Sequence, residues 1–228
     1  MIILEYYRYM QRKVAHIEGE FYHLYNRGVD KRKIFNSPSD YKRFLMLLYL
    51  SNGEGDVHLS NLLKTNAGTS IFDYERVQPL VAIGAFCLMP NHFHLLISPL
   101  HKDGVAKFMS KLQTGYSMYF NKKNERTGSL FQGPYKSEHA GEDTYLKYLF
   151  SYIHLNPAKL KDPNWKINRA TNQKAIQAFV EKYPYSSYQE YLSARPVITN
   201  PSVFPNYLSN KKEVRSHITD WLYIKDSP

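Results

Sequence analysis

A single cysteine, Cys87, excludes an internal disulfide and with it a disulfide-built secreted scaffold, so a reducing cytoplasm is the expected location. Glycine and proline are sparse, 11 and 12 in 228 residues, and 43% of the chain is hydrophobic, which excludes a disordered or low-complexity chain. No apolar run approaches the ~20 residues a membrane span needs, so no membrane partner is expected. The opening MIILEYYRYMQRKV carries acid and base early and lacks a signal peptide's long apolar centre and small-residue cleavage site. Acidic residues are also in short supply. Twenty Asp and Glu face thirty Lys and Arg, a formal charge of +10, which favours a polyanionic partner, most commonly nucleic acid. Aromatics are plentiful at 15%, with 20 tyrosines, and flat rings interleaved with cations are a common way of holding single strands.

A chain of this length buries one good core, and a single domain is the default. EFYHLYNRG (20–28) alternates and ends at a glycine, so it reads as a strand. SPSDYKRFLMLLYL reads as a helix capped by Ser37, with Pro38 in the first turn and Tyr41, Phe44, Leu45 and Leu48 at helical spacing. Residues 51–76 are polar and glycine-spotted, a loop or a ragged helix end. PLVAIGAFCLM and NHFHLLIS follow as two strands joined by a tight turn at Pro90-Asn91. An amphipathic helix spans 103–123, a turn-rich connector with strand-like pieces comes next, and a second helix covers 142–156, ended by Pro157. A further helix is expected near NKKEVRSHITDWL. This order predicts an α+β fold, an antiparallel sheet with helices packed on one face.

The segment CLMPNHFHLLIS places His92 and His94 two apart on a strand, so both rings leave the same face. They are either two structural histidines or two ligands for a borderline divalent metal. On the helix at 142–156, Tyr152 and Asn156 share one face at i and i+4. Asn156 brings a hard oxygen ligand suited to Mg²⁺ or Mn²⁺, and Tyr152 brings a phenol one turn away. A phenol is a weak nucleophile at its free pKa near ~10, and a metal that polarises the attacked phosphate lowers the demand on it. Tyr148, one turn before Tyr152 on the same face, competes for that role.

MPNHFHLL, RTGSLFQGPYKS and YIHLNP, in that order, resemble the single-tyrosine HUH transposases, and among them the branch of REP-associated tyrosine transposases. YHLYNRG, GYSMYFNKK and YPYSSYQEYL extend the likeness over residues 12–192, leaving 1–11 and 193–228 as terminal extensions, with Met10 a second candidate initiator. The resemblance implies a ferredoxin-like catalytic core, a divalent metal (Mg²⁺ or Mn²⁺) held by His92, His94 and Asn156, and Tyr152 as the nucleophile. It also implies cleavage of single-stranded DNA beside a hairpin of a repetitive extragenic palindrome (REP), with a 5′-phosphotyrosine intermediate and a free 3′-OH. A DNA substrate implies a cytoplasmic, nucleoid-associated protein, and relatives include both monomers and homodimers. Asn156 fits the REP-associated branch, since many insertion-sequence relatives carry glutamine there. Pro134 departs from the pattern, standing where the family commonly has arginine.

Two basic clusters are candidates for the DNA. One comprises Asn26, Arg27, Lys31, Arg32 and Lys33 at the end of the first strand and in the loop after it, and the other Lys122, Lys123, Arg126 and Lys136 at the end of the 103–123 helix and in the connector. Two alternatives remain beside the transposase reading: a catalytically silent binder of single-stranded or hairpin nucleic acid, and a metal-dependent phosphoesterase with a water nucleophile.

Overall fold

A computed structural model describes residues 15–55, 59–65, 70–167 and 169–223. The N-terminal extension 1–11 and the candidate initiator Met10 lie outside the described residues. Strand β1 (Tyr22–Arg27) leads to helix α1 (Pro38–Leu50), a short α2 (Leu59–Thr65), the hairpin β2 (Val81–Met89) and β3 (His92–Pro99), helix α3 (Gly104–Lys123) and strand β4 (Lys136–His139). The four strands form one sheet in the order β2-β3-β1-β4, with every neighbouring pair antiparallel. This βαββαβ order gives the ferredoxin-like α+β fold that the sequence implies. Residues 51–76, unresolved between loop and ragged helix from the sequence, hold α2 and a 3₁₀ turn at Ile71–Asp73.

The chain continues with α4 (Asp143–Leu155), a single turn α5 (Ala158–Lys161), α6 (Arg169–Lys182), α7 (Tyr188–Ser193) and α8 (Lys211–Tyr223). The expectation of helices on one face holds only for α1 and α3. Their apolar stripes, with Phe44, Leu48, Phe108 and Leu112, pack on Leu24, Phe93, Leu95 and Ile97. The other face meets α4, α6, α7 and α8, where Leu149, Phe150, Ile153, Ile176, Tyr191, Val214 and Ile218 join Ala82, Ala85, Cys87 and Leu96. The physical reason lies in β2, VAIGAFCLM, whose every residue is buried. A strand apolar on both sides must be covered on both sides.

Helix α4 ends at Leu155, ahead of Pro157 as expected, but the backbone angles stay helical through the break. Asn156 keeps φ −51°, ψ −41° and Pro157 φ −61°, ψ −21°, so the chain runs on in helical geometry into α5. A residue before proline is normally pushed out of that region. Here Asn156 stays in it while its side-chain Nδ2 donates to the Tyr152 carbonyl at 3.0 Å and its own carbonyl accepts from Lys159 N–H at 3.2 Å. The consequence for the site is that residue 159 folds back over residue 152.

Candidate active site

The register of the sheet builds the site. His92 pairs with Arg27 and His94 with Tyr25 across β3–β1, and Tyr25 pairs with Lys136 and His23 with Glu138 across β1–β4. Alternation puts His92, His94, His23, Tyr25, Arg27, Glu138 and Lys136 on one face of the sheet. Over this face lies α4, whose residues Tyr145, Tyr148 and Tyr152 follow one stripe. The Tyr152 ring stands edge-on to His94 with centroids 5.4 Å apart and to His23 at 6.3 Å. Tyr148 is a turn farther along, stacked on Tyr152 at 5.9 Å and edge-on to Trp221 at 5.0 Å.

The two histidines are oriented for coordination through the same atom. His92 Nδ1 donates to Asn91 Oδ1 at 2.6 Å, which leaves its Nε2 with a free lone pair. His94 Nδ1 lies 2.8 Å from His23 Nε2, and His23 Nδ1 lies 3.7 Å from Glu138 Oε2. If His94 Nδ1 carries the proton, His23 accepts it and turns its own Nδ1–H toward the carboxylate, a carboxylate–histidine–histidine chain of the kind that fixes a ligand's tautomer. His94 Nε2 is buried without a hydrogen-bond partner, and so is Asn156 Oδ1. Buried polar atoms are nearly always satisfied, so two such orphans beside one tyrosine fit an absent cation. Two imidazole nitrogens and an amide oxygen are the kinds of donor that a borderline divalent metal accepts. Among the described residues no cluster of three His, Cys, Asp or Glu side chains could hold a metal.

The electrostatics agree with neutral ligands. Burial, helped by Lys159 and Arg27, lowers the His92 pKa to about 4, and burial with His23 and His92 nearby pushes His94 well below the usual histidine range. His23, with the Tyr25 hydroxyl donating at 2.6 Å, holds Glu138 down at about 2. Burial raises the Tyr152 phenol above its ordinary value, with the Asn156 side chain working against the rise. Lys159 sits with Nζ 5.7 Å from the Tyr152 ring, its pKa lowered by burial and by Lys166. The remaining histidine of the YIHLNP run is structural: His154 is fully buried between the Phe150 carbonyl at 2.9 Å and Ser187 Oγ at 2.8 Å.

The candidate DNA residues divide. Arg27 lies on the histidine face, bonded to Gln132, and Lys136 is exposed on β4 with Nζ 5.9 Å from the Tyr25 ring. Lys31, Arg32 and Lys33 are exposed on the loop that braces the Pro90-Asn91 turn, where Asn91 Nδ2 donates to the Lys31 carbonyl at 3.2 Å. Asn26 is buried and donates to the Gly133 carbonyl at 3.1 Å. Lys122, Lys123 and Arg126 end α3 on the opposite face of the sheet. Lys123 is bound to buried Asp40 at 2.5 Å, and Arg126 braces its own turn through Asn121 and Ser129. Of the second cluster only Lys136 therefore shares the face of the histidines.

Sequence reasoning missed His23, Glu138 and Lys159. Strand alternation places His23 with Tyr25 and Arg27, but only the β3–β1–β4 order brings that row against His94. Lys159 lies past the end of α4, in the turn Ala158–Lys161 that the sequence reading left unassigned.

Among the described residues no helix is long and apolar enough to cross a membrane. No curated protein matches the chain. A solved structure described as a REP-associated tyrosine transposase bound to a REP hairpin is similar at TM-score 0.49 and 10% identity, covering 87% of this chain and 95% of that one. Residues 70–156 match the family model described as "Transposase IS200 like". The segment that carries His92, His94, Tyr152 and Asn156 thus has the sequence pattern of the IS200-like transposases.

Proposed function

We propose that the chain is a divalent-metal-dependent endonuclease and strand transferase that acts on single-stranded DNA beside a hairpin, with Tyr152 as nucleophile. The observation that carries this reading is the Tyr152 ring 5.4 Å from His94, in a site where His94 Nε2 and Asn156 Oδ1 are both buried and unpartnered. The family pattern over residues 70–156 supports it. His92, His94 and Asn156 would hold the metal, Mg²⁺ or Mn²⁺, which supplies Lewis-acid polarisation of the scissile phosphate when bound.

The chain's own residues do the rest. Tyr152 Oη loses its proton and forms a bond to phosphorus. The bond from phosphorus to the 3′ oxygen breaks, that oxygen takes up a proton, and a free 3′-OH and a 5′-phosphotyrosine result. Attack of a 3′-OH on the phosphotyrosine runs the step backwards, restoring a phosphodiester and the phenol. Lys159 stands beside the Tyr152 ring as a cation for the phosphate's charge, and the Glu138–His23 pair orients His94. Arg27, Lys31, Arg32, Lys33 and Lys136 border this face and supply phosphate contacts to the DNA.

The test is a denaturing gel of purified protein with labelled hairpin DNA carrying unpaired flanks, in Mg²⁺ or Mn²⁺. A slow-migrating covalent band is expected with the wild type and Tyr148→Phe, and none with Tyr152→Phe or after chelation. Cleavage without an adduct would replace the tyrosine by a water nucleophile. Tight binding with intact DNA across varied flanks would reduce the protein to a binder.

A further inference from the structure

A narrow, largely apolar cleft opens beside Tyr152 and Asn156, lined also by Leu155. Its walls are Tyr148 and Tyr152 from α4, Trp165 and Lys166 from the segment after α5, Lys159 from α5 and Trp221 from α8. Tyr148 and Trp221 meet edge to face at 5.0 Å, and Trp221 is only partly buried. Lys166 Nζ stands 5.9 Å from the Trp165 ring and Lys159 Nζ 5.7 Å from the Tyr152 ring. Among the described residues neither ammonium has a carboxylate partner. Lys166 lowers the Lys159 pKa, so the two cations repel, and an anion that joined them would relieve the repulsion. Aromatic walls with cations at the rim match the chemistry of an unpaired nucleotide, whose base stacks and whose phosphate takes the charge.

We infer that this cleft is a stacking subsite for one unpaired base of the DNA flank adjoining the scissile phosphate, with Lys159 and Lys166 on its phosphate and Trp221 and Tyr148 against its ring. The assignment rests on the proposed function, since it takes Tyr152 as the point where the strand crosses the site. It gives a role to α8, which lies beyond the segment that matches the family. Recognition is by shape and π-face, with no hydrogen-bond readout, so the subsite tolerates sequence but demands an unstacked base. The strand must leave its hairpin before reaching Tyr152.

The chain's only two tryptophans both line the cleft, so intrinsic fluorescence reports on its occupancy. The experiment uses full-length Tyr152→Phe protein, which binds without forming an adduct, titrated with hairpin DNA whose unpaired flank carries an abasic residue at each position in turn. Fluorescence quenching is expected with the intact flank and lost at one abasic position. Trp221→Leu should weaken binding of the intact flank about tenfold, the loss of one stacking contact, and Trp221→Phe should restore most of it. Lys166→Gln should lower the salt dependence of binding by about one phosphate. Equal quenching and affinity at every abasic position would overturn the subsite, even if Trp221→Leu proved poorly folded, because that scan leaves the protein untouched. Binding without quenching would overturn it while leaving the nuclease reading intact. Quenching together with an absence of adduct in the wild type would keep the subsite and remove the nuclease. Failure of every oligonucleotide to bind would remove both.

Discussion

Replacing Asp40 by alanine is expected to cost about 3 kcal/mol of folding stability, and replacing its partner Lys123 by methionine about 1 kcal/mol or less. The asymmetry follows from where the two ends of the pair lie. The Asp40 side chain is fully buried, whereas the Lys123 side chain is 36% exposed. Asp40 Oδ2 accepts the backbone N–H groups of Asn36 at 2.8 Å and Ser37 at 3.0 Å, at the start of α1. Its Oδ1 accepts from Lys123 at 2.5 Å and from the Tyr119 hydroxyl at 3.0 Å. Removing a helix-start acceptor costs about 1 kcal/mol. Stripping the charge-assisted bonds from partly buried donors adds about 2 kcal/mol more. Lys123, once released, recovers water, so its own deletion costs only what a partly exposed pair is worth. Burial alone would raise the Asp40 pKa, but the bonds from Lys123, Asn36, Tyr119 and Ser37 outweigh it and hold the carboxyl below its ordinary 3.8. A depressed acid contributes stability that is present above its unfolded value and lost as the pH falls through the folded one. Urea unfolding followed by circular dichroism should therefore show wild type and Asp40→Asn converging as the pH is lowered below about 4. The same Lys123→Met protein should keep the wild-type salt dependence of DNA binding. An Asp40→Ala protein within 1 kcal/mol of wild type, or a Lys123→Met protein of normal stability with one phosphate contact fewer, would refute the reasoning and return Lys123 to the DNA.

Three further outcomes are expected. His23→Phe should weaken Mn²⁺ binding about 10- to 100-fold, read by the free-ion signal in electron paramagnetic resonance, because His94 loses the acceptor that fixes its tautomer; unchanged affinity would show that the His23 contact is packing only. Gly84→Ala should lower the melting temperature by several degrees, since a Cβ there would stand 2.6 Å from the Phe204 ring; a neutral substitution would mean that the ring moves freely. A chain ending at residue 195 should lose its cooperative melt and bind a hydrophobic dye, because Ile198, Phe204, Leu208, Val214, Ile218 and Leu222 are all buried in the full chain; a monomeric, sharply melting fragment would show that 12–192 folds alone.

The sheet and its two crossover helices were legible because each carries a local pattern. The hairpin was marked by the Pro90-Asn91 turn between two apolar runs, and α3 by a stripe from Val105 to Phe120. The placement of His92 and His94 on one face followed from strand alternation, and that of Tyr152 and Asn156 from helical spacing. What stayed hidden depends on contacts distant in sequence. β2 reads as an apolar run whichever way its second face is covered, so nothing local announces the layer of α6, α7 and α8. Gly84 sits at a register shift in β2 and leaves room for Phe204, 120 positions on, a relation no window of sequence contains. The lysines of 122–126 look like a DNA patch from their charge, yet Lys123 is bound to Asp40 and Arg126 to its own turn. Charge counts do not record partners. Pro157 marks the end of α4 correctly, but Asn156 before it keeps helical angles, and the turn that carries Lys159 stayed hidden.

The sheet face that carries His92 and His94 is divided lengthwise, and one helix covers both halves. Along β2 the side chains on this face are small or apolar, Ala82, Ala85, Cys87 and Met89, and they accept close helical cover. Along β3, β1 and β4 they are His92, His94, His23, Tyr25, Arg27, Glu138 and Lys136, which dry helical packing would leave unsatisfied. Helix α4 lies at the boundary between the two halves. Its Leu146, Leu149, Phe150 and Ile153 are buried with the apolar half and the tail helices, while Tyr145, Tyr148 and Tyr152 turn toward the polar half. Burial of the first stripe fixes the rotation of the helix, and that rotation sets Tyr152 against His94. The tail that packs behind α4 therefore has a bearing on Tyr152 without touching His92 or His94: loosen the apolar half, and the distance from Tyr152 to His94 is no longer specified.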